Sequence, residues 1–306
     1  MVQLASPLSL FTRCESPAFV RRALDHARNK DLHSVHPEVD LLPSPKHVTS
    51  GANLRRSDEK IQSIATVEHI TRNSLNAATH ISNARVLFEE AKSATAGVQP
   101  VLYYYGALSF MDFVTSCLVR RGTGRGAHGL RLTCTSDGWN FSKHWPRNEC
   151  FVEMGHSGDF PFYVDALTLA GFPSLFSGFR LLQDTKTGPA QVVKNPAPLL
   201  SEKMSLDLLC NFDFRKHVAD HPELDEWLGS HQQEIIAMTT RLLDFVVVFA
   251  ASCVARYHVP AWRNITSASE TAIYNDIRSA YQAMSEDLPF FFADEYPFQY
   301  SFESGI

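Results

Sequence analysis

From Ser57 onward the apolar residues return every three or four positions. Ile61, Ile64, Val67, Leu75, Ala78, Ile81 and Phe88 fall on one stripe and predict an amphipathic helix, which Gly97 and Pro100 stop. The next segment, Val101–Arg120, is apolar on most sides and predicts a second helix at the centre of the core, broken by Gly122, Gly124 and Gly126. Between Leu130 and Leu169 the period shortens. LRLTC, ECFVEM and DFPFYVDAL are β-favouring runs separated by turn residues, and they predict a small antiparallel sheet inserted among helices at about 130–169. Gly171–Pro198 reads as loop, and Met204–Phe212 and Glu223–Leu228 as short helices. The longest helix of the C-terminal half is predicted over Gln232–Tyr257, ending ahead of Pro260. Ser267 and Glu270 have the spacing of a capping box for a last helix, whose stripe is Ile273, Ile277, Tyr281, Met284 and Leu288 and whose stop is Pro289.

Residues 1–56 break this regularity. They are rich in Pro, His, Arg and Ser and read as a loop-rich N-terminal arm with one short helix at Pro17–Asn29. Residues 57–306 read as a single helical domain carrying the β-rich insertion, so the fold class is mostly α, α+β overall. The tail packs aromatics into Pro289–Ile306, with Phe298, Tyr300 and Phe302 alternating; it either docks a partner or covers the protein's own core.

With 44% hydrophobic and 20% charged residues the composition is that of a folded chain. A net charge of −5 argues against a surface built to hold nucleic acid nonspecifically, and leaves a local basic patch open. Six cysteines without a CxxC pair fit free thiols in a reducing cytoplasm better than a disulfide frame or a zinc site. The longest apolar run, Phe245–Ala255, has 11 residues, against about 20 for a membrane span. With no signal-peptide pattern at the start, the sequence reads as cytoplasmic, with no membrane partner.

Chemistry is concentrated in two places. Gly124-Arg-Gly-Ala-His-Gly129 matches G-x-G-x-x-G, but a helix precedes it and a strand-like run follows, the reverse of a dinucleotide site; the glycines read as a turn. The same loop holds Arg120, Arg121, Arg125, Arg131 and His128, a set able to grip phosphate or an RNA backbone, or simply a solvated, salt-bridged surface. Within that set His128 is the residue type suited to acid–base work. The second place is Arg256-Tyr-His258, closing the long apolar helix. Either Arg256 and His258 complement the helix dipole, or they pair to stabilise a phosphorane and move a proton. His217 and His221 stand at i,i+4, yet Pro222 disfavours helical geometry at His221 and no third ligand is near, so no metal site is expected. Ser-His-Asp order, Walker loop and HExxH are all missing from the sequence, and no cofactor is expected.

The helix with YYYGALSF (Tyr103–Phe110), the following AHGL (Ala127–Leu130), the gap into a β-rich stretch and the late RYHVPAW (Arg256–Trp262) together resemble the YaaC-like family of bacterial proteins over roughly residues 60–290. The tyrosine-rich helix followed by His-Gly-Leu also looks like part of HEPN domains, which are helical and often dimeric. Many are metal-independent endoribonucleases with an Arg-x4–6-His motif, whose spacing recurs here at Arg21…His26, Arg121…His128 and Arg215…His221. Other HEPN-like proteins are inactive scaffolds. The resemblance therefore implies a HEPN-like interaction or regulatory subunit of a bacterial stress or antiphage system, with a protein partner or homodimer. Its alternative is a metal-independent ribonuclease with His258 or His128 as base and Arg256 or Arg121 stabilising charge. A third reading is a nucleotide or phosphate sensor using Arg121, Arg125 and His128.

Overall fold

The computed structural model describes residues 7–29, 67–118, 127–134, 150–155, 157–169, 172–182, 191–199, 203–267 and 271–293. These form helices α1 (Pro7–Cys14), α2 (Pro17–Asn29), α3 (Val67–Ser93), α4 (Gln99–Leu118), α5 (Asp159–Leu169), α6 (Leu206–Cys210), α7 (Phe214–Asp220), α8 (Glu223–Leu228), α9 (Gln232–Tyr257), α10 (Val259–Thr266), α11 (Thr271–Gln282) and α12 (Leu288–Ala293). The strands are β1 (Leu130–Cys134), β2 (Cys150–Met154), β3 (Phe179–Leu182), β4 (Gln191–Lys194) and β5 (Met204–Ser205). The protein is mostly α with a small antiparallel β component, as the hydrophobic periods predict. By its internal contacts the chain forms two compact units: Met1–Glu89, Tyr105–Arg125 and Ser285–Ile306 make the first, and Glu90–Tyr104 with Gly126–Met284 make the second.

In the first unit the stripe of α3 does what its spacing predicts, burying Ala78, Ile81 and Phe88, while Ile61 and Ile64 lie outside the described residues. Leu75 departs from it and is 57% exposed. Gly106 faces Phe88 so closely that a Cβ would stand 2.6 Å from its ring, which is why a glycine interrupts the apolar run of α4. At the N-terminus α1 precedes the predicted α2, and Phe11 sets its ring edge-on against Phe88 and Phe110. Arg85 ties α3 to Glu15 and pairs with Glu89 one turn on. Pro289, read as a stop, instead lies in α12, which follows the helical turns Ala283–Asp287 without a break. Phe292 of that helix packs on Phe110.

The second unit is built on α9, whose bounds agree with the sequence reading. Residues Phe245–Ala255 are buried without interruption, so this helix is covered on every side. The run Glu223–Tyr257 is long and apolar enough to cross a membrane by length and composition, but most of it is buried inside the fold. Strands β1, β2 and β5 form one antiparallel sheet in that order, with Leu130 opposite Met154 and Phe151 opposite Ser205. Cys150 is disulfide-bonded, which corrects the expectation of free thiols throughout; Cys14, Cys117, Cys210 and Cys253 are not in disulfides. Cys134 stands directly opposite Cys150 in the strand register, at a backbone spacing that antiparallel pairing brings into the disulfide range.

Two further expectations change. DFPFYVDAL is not a strand but helix α5, with Phe160, Tyr163, Val164, Ala166 and Leu167 buried. Because so many of its positions are buried, the period that separates helix from strand is hidden. Its start does carry the signature of a helix N-terminus, an acid followed closely by proline. The segment read as loop contains the β3–β4 hairpin, Phe179 opposite Lys194. Asn195, 1% exposed, locks the hairpin base by donating from Nδ2 to Ser177 O (2.9 Å) and Leu175 O (3.3 Å) and accepting from Ala197 N (3.0 Å). Leu175 N in turn donates to Thr239 Oγ1 on α9 at 2.9 Å, so the hairpin is anchored to the central helix.

Candidate functional site

The Ala127–Leu130 motif acts first through its backbone. Ala127 O accepts from Asp159 N (2.9 Å), His128 O from Phe160 N (3.0 Å) and Gly129 O from Gly155 N (2.8 Å). Two of these donors are first-turn amides of α5, which have no partner inside their own helix. The motif therefore caps α5. Gly129 adopts φ +70, and a side chain there would run into Pro161. The glycine thus makes the turn into β1 that the G-x-G-x-x-G order suggests, with a strand and not a helix following it.

The His128 side chain is half-buried, edge-on to Tyr104 at 5.4 Å and tilted against Phe249 of α9 at 6.4 Å. Tyr104 also meets Phe245 and Phe249, while its neighbour Tyr103 stacks flat on Tyr281 at 4.4 Å. The tyrosine motif is thus core packing, with His128 at its margin.

Arg256 lies two turns beyond Phe249, about 10 Å along α9. Its Nε donates to Ser252 O (3.2 Å), its Nη2 reaches Ser252 Oγ (3.5 Å) and Cys253 Sγ (3.8 Å), and its guanidinium lies 5.0 Å from the Tyr257 ring centroid. A cation in the last turn of a helix is the favourable arrangement for its C-terminus. His258 is 5% exposed at the corner between α9 and α10; its N–H donates to Val254 O and its carbonyl accepts from Trp262 N. Trp262 closes the corner by donating from Nε1 to Ala96 O at 2.7 Å. Both motifs therefore meet α9, His128 on its flank and Arg256 in its last turn.

Of the phosphate-gripping set, Arg131 is exposed on β1 opposite Glu153, whose carboxyl Lys203 holds below the usual range, with Arg131 adding to the effect. Arg120, Arg121 and Arg125 lie outside the described residues, as do Glu270 and Phe298, Tyr300 and Phe302. His217 and His221 do come together, their rings 4.8 Å apart, but His221 is the non-helical cap of α7 at φ −132. Among the described residues no group of three or more His, Cys, Asp or Glu is placed to hold a metal ion.

Burial pushes the His258 imidazole below its ordinary value, and at His217 burial does the same with the nearby His221 adding to it. The folded state therefore holds these protons less tightly than the unfolded chain, whose imidazoles titrate near about 6.5. Stability is highest above that pH and falls as pH drops through it. Urea midpoints should decline from about pH 7 to about pH 5, each histidine contributing at most ~1.4 kcal/mol per pH unit. His258→Gln should flatten the decline. A midpoint that stays level over this range, or an unchanged slope in the variant, contradicts the burial argument.

Neither a protein-family model, nor a curated protein, nor a solved structure matches this chain.

Proposed function

We propose that this protein is a cytoplasmic interaction or regulatory subunit, HEPN-like in its helical core and working within a bacterial stress or antiphage system. The observation that carries this reading is the α9–α10 corner. Arg256 and His258, a pair the sequence marks for phosphoryl chemistry, are occupied in building it: one bonds back to Ser252, the other is buried. The residues the corner presents outward are Tyr257, 68% exposed, and Val259, 44% exposed, with Arg256 stacked on the tyrosine. Tyr and Arg are the residue types that anchor protein interfaces.

The reading expects labelled structured RNA to stay intact with the purified protein in excess EDTA, beside His258→Ala and His128→Ala controls. Cleavage that disappears in one variant would overturn it in favour of a metal-independent ribonuclease and identify the base. It also expects a stoichiometric protein partner to co-purify with the wild type and to be lost on Tyr257→Asp with the melting temperature unchanged. A chain that purifies alone from its own cells counts against the proposal.

A further inference from the structure

We propose that Arg180 and Trp227 form a buried oxyanion-binding site, separate from both sequence motifs and independent of the subunit reading. Arg180 sits in the middle of β3, opposite Val193, and is 7% exposed. Its guanidinium carbon lies 5.8 Å from the ring centroid of Trp227, a residue of α8 that is 3% exposed. Two donors are buried here, Arg180 Nε and Trp227 Nε1, and among the described residues neither has a hydrogen-bond acceptor. Buried donors are satisfied in the great majority of folded proteins, so a pair left open side by side calls for an occupant.

The chemistry of that occupant follows from what the site offers. Both groups only donate, so the ligand atom must only accept. Arginine does not escape burial by losing its proton, as a lysine or histidine can, so a counter-charge is also called for. No carboxylate of the described residues lies within ion-pair distance of Arg180. Glu226, beside Trp227 in the chain and exposed, acts on it only through space, while burial opposes the charge. Stacking on the indole offsets part of that opposition without supplying an acceptor. Gly229, at φ +49, adds to the fit: a Cβ there would stand 3.2 Å from Nη1, so a residue that takes this backbone readily also keeps the space beside the guanidinium open. An anion with acceptor oxygens, carboxylate or phosphate, supplies both missing components at once, because a guanidinium edge binds either through paired N–H···O bonds.

The test is thermal melting of the full chain in inorganic phosphate, sulfate or acetate, each against sodium chloride at matched ionic strength. At saturation the wild type should gain roughly 2–4 °C over chloride. Trp227→Phe keeps an aromatic ring and removes the indole donor, so it should need a higher anion concentration. Arg180→Met should show no gain, and Glu226→Gln should respond at lower concentration than wild type. A response to phosphate and sulfate alone assigns a tetrahedral ligand, and one to acetate alone assigns a carboxylate; each supports the site. No gain over chloride with any anion, meaning that water alone satisfies the donors, overturns it. So does an equal gain in Arg180→Met. If Arg180→Met does not fold, an unchanged concentration dependence in Trp227→Phe overturns the proposal by itself.

Discussion

Gly158→Ala is expected to cost about 3–5 kcal/mol, enough to leave a protein of ordinary stability largely unfolded. The residue adopts φ +120, a conformation that only glycine takes without strain. Space is the second obstacle. A Cβ at this position would stand 2.5 Å from Gly129 N, 2.6 Å from Gly129 Cα and 2.7 Å from Ala127 O. All three are backbone atoms, and the segment they belong to cannot retreat, because Ala127 O and Gly129 O hold the amides of Asp159 and Gly155. Relieving the clash therefore means uncapping α5 and disturbing the turn into β1. Gly178→Ala is the control: nothing lies within 4 Å of a Cβ there, and the change should be near neutral. Urea midpoints with an unchanged m-value make the comparison. A Gly158→Ala variant within about 1 kcal/mol of wild type would show that the Ala127–Gly129 segment does not hold α5 as described.

Trp262→Ala should cost about 3–5 kcal/mol, the range for emptying a buried indole site. The side chain is 2% exposed, its ring meets Tyr274 edge-on at 6.2 Å, and its Nε1 donates to Ala96 O. Tyr274 continues the chain of contacts by donating from its hydroxyl to Gln99 Oε1 at 3.4 Å. The α9–α10 corner and the segment leading into α4 are thus fastened by one side chain. Trp262→Phe divides the effect, since it keeps an aromatic ring and leaves Ala96 O without its donor; about 1–2 kcal/mol is expected for that alone. If alanine costs less than about 1 kcal/mol, the indole is not the fastening element.

The helices were legible wherever one face stayed polar. The stripe Ile273, Ile277, Tyr281, Met284 and Leu288 is buried throughout, and α9 begins and ends where its apolar run and Pro260 say it should. Legibility failed where burial surrounds a short element, or where the element is too short to show a period at all. In α5 the apolar positions leave no polar face to count against, so DFPFYVDAL fits a strand as well as a helix. In β3 and β4, FRLL and QVVK are four residues each, too short for alternation to be distinguished from chance. The Cys150 disulfide was invisible for a different reason: no local pattern in the sequence marks a bonded cysteine.

The same division runs through the candidate sites. Residue type and local spacing marked out His128, Arg256 and His258, because aromatic, basic and glycine positions cluster there on the chain itself. By itself the sequence determined the helical class, the bounds of the long helix, the two motifs and the turn at Gly129, all properties of neighbours within a few residues. The tertiary structure decided what those motifs do: Ala127–Gly129 caps a helix thirty residues on, and His258 is closed in a corner. It alone set Arg180 over Trp227, nearly fifty residues away. Periodicity records which side of an element faces the core. It carries no record of which distant element supplies the other half of a contact, because that depends on how the packed surfaces meet in three dimensions.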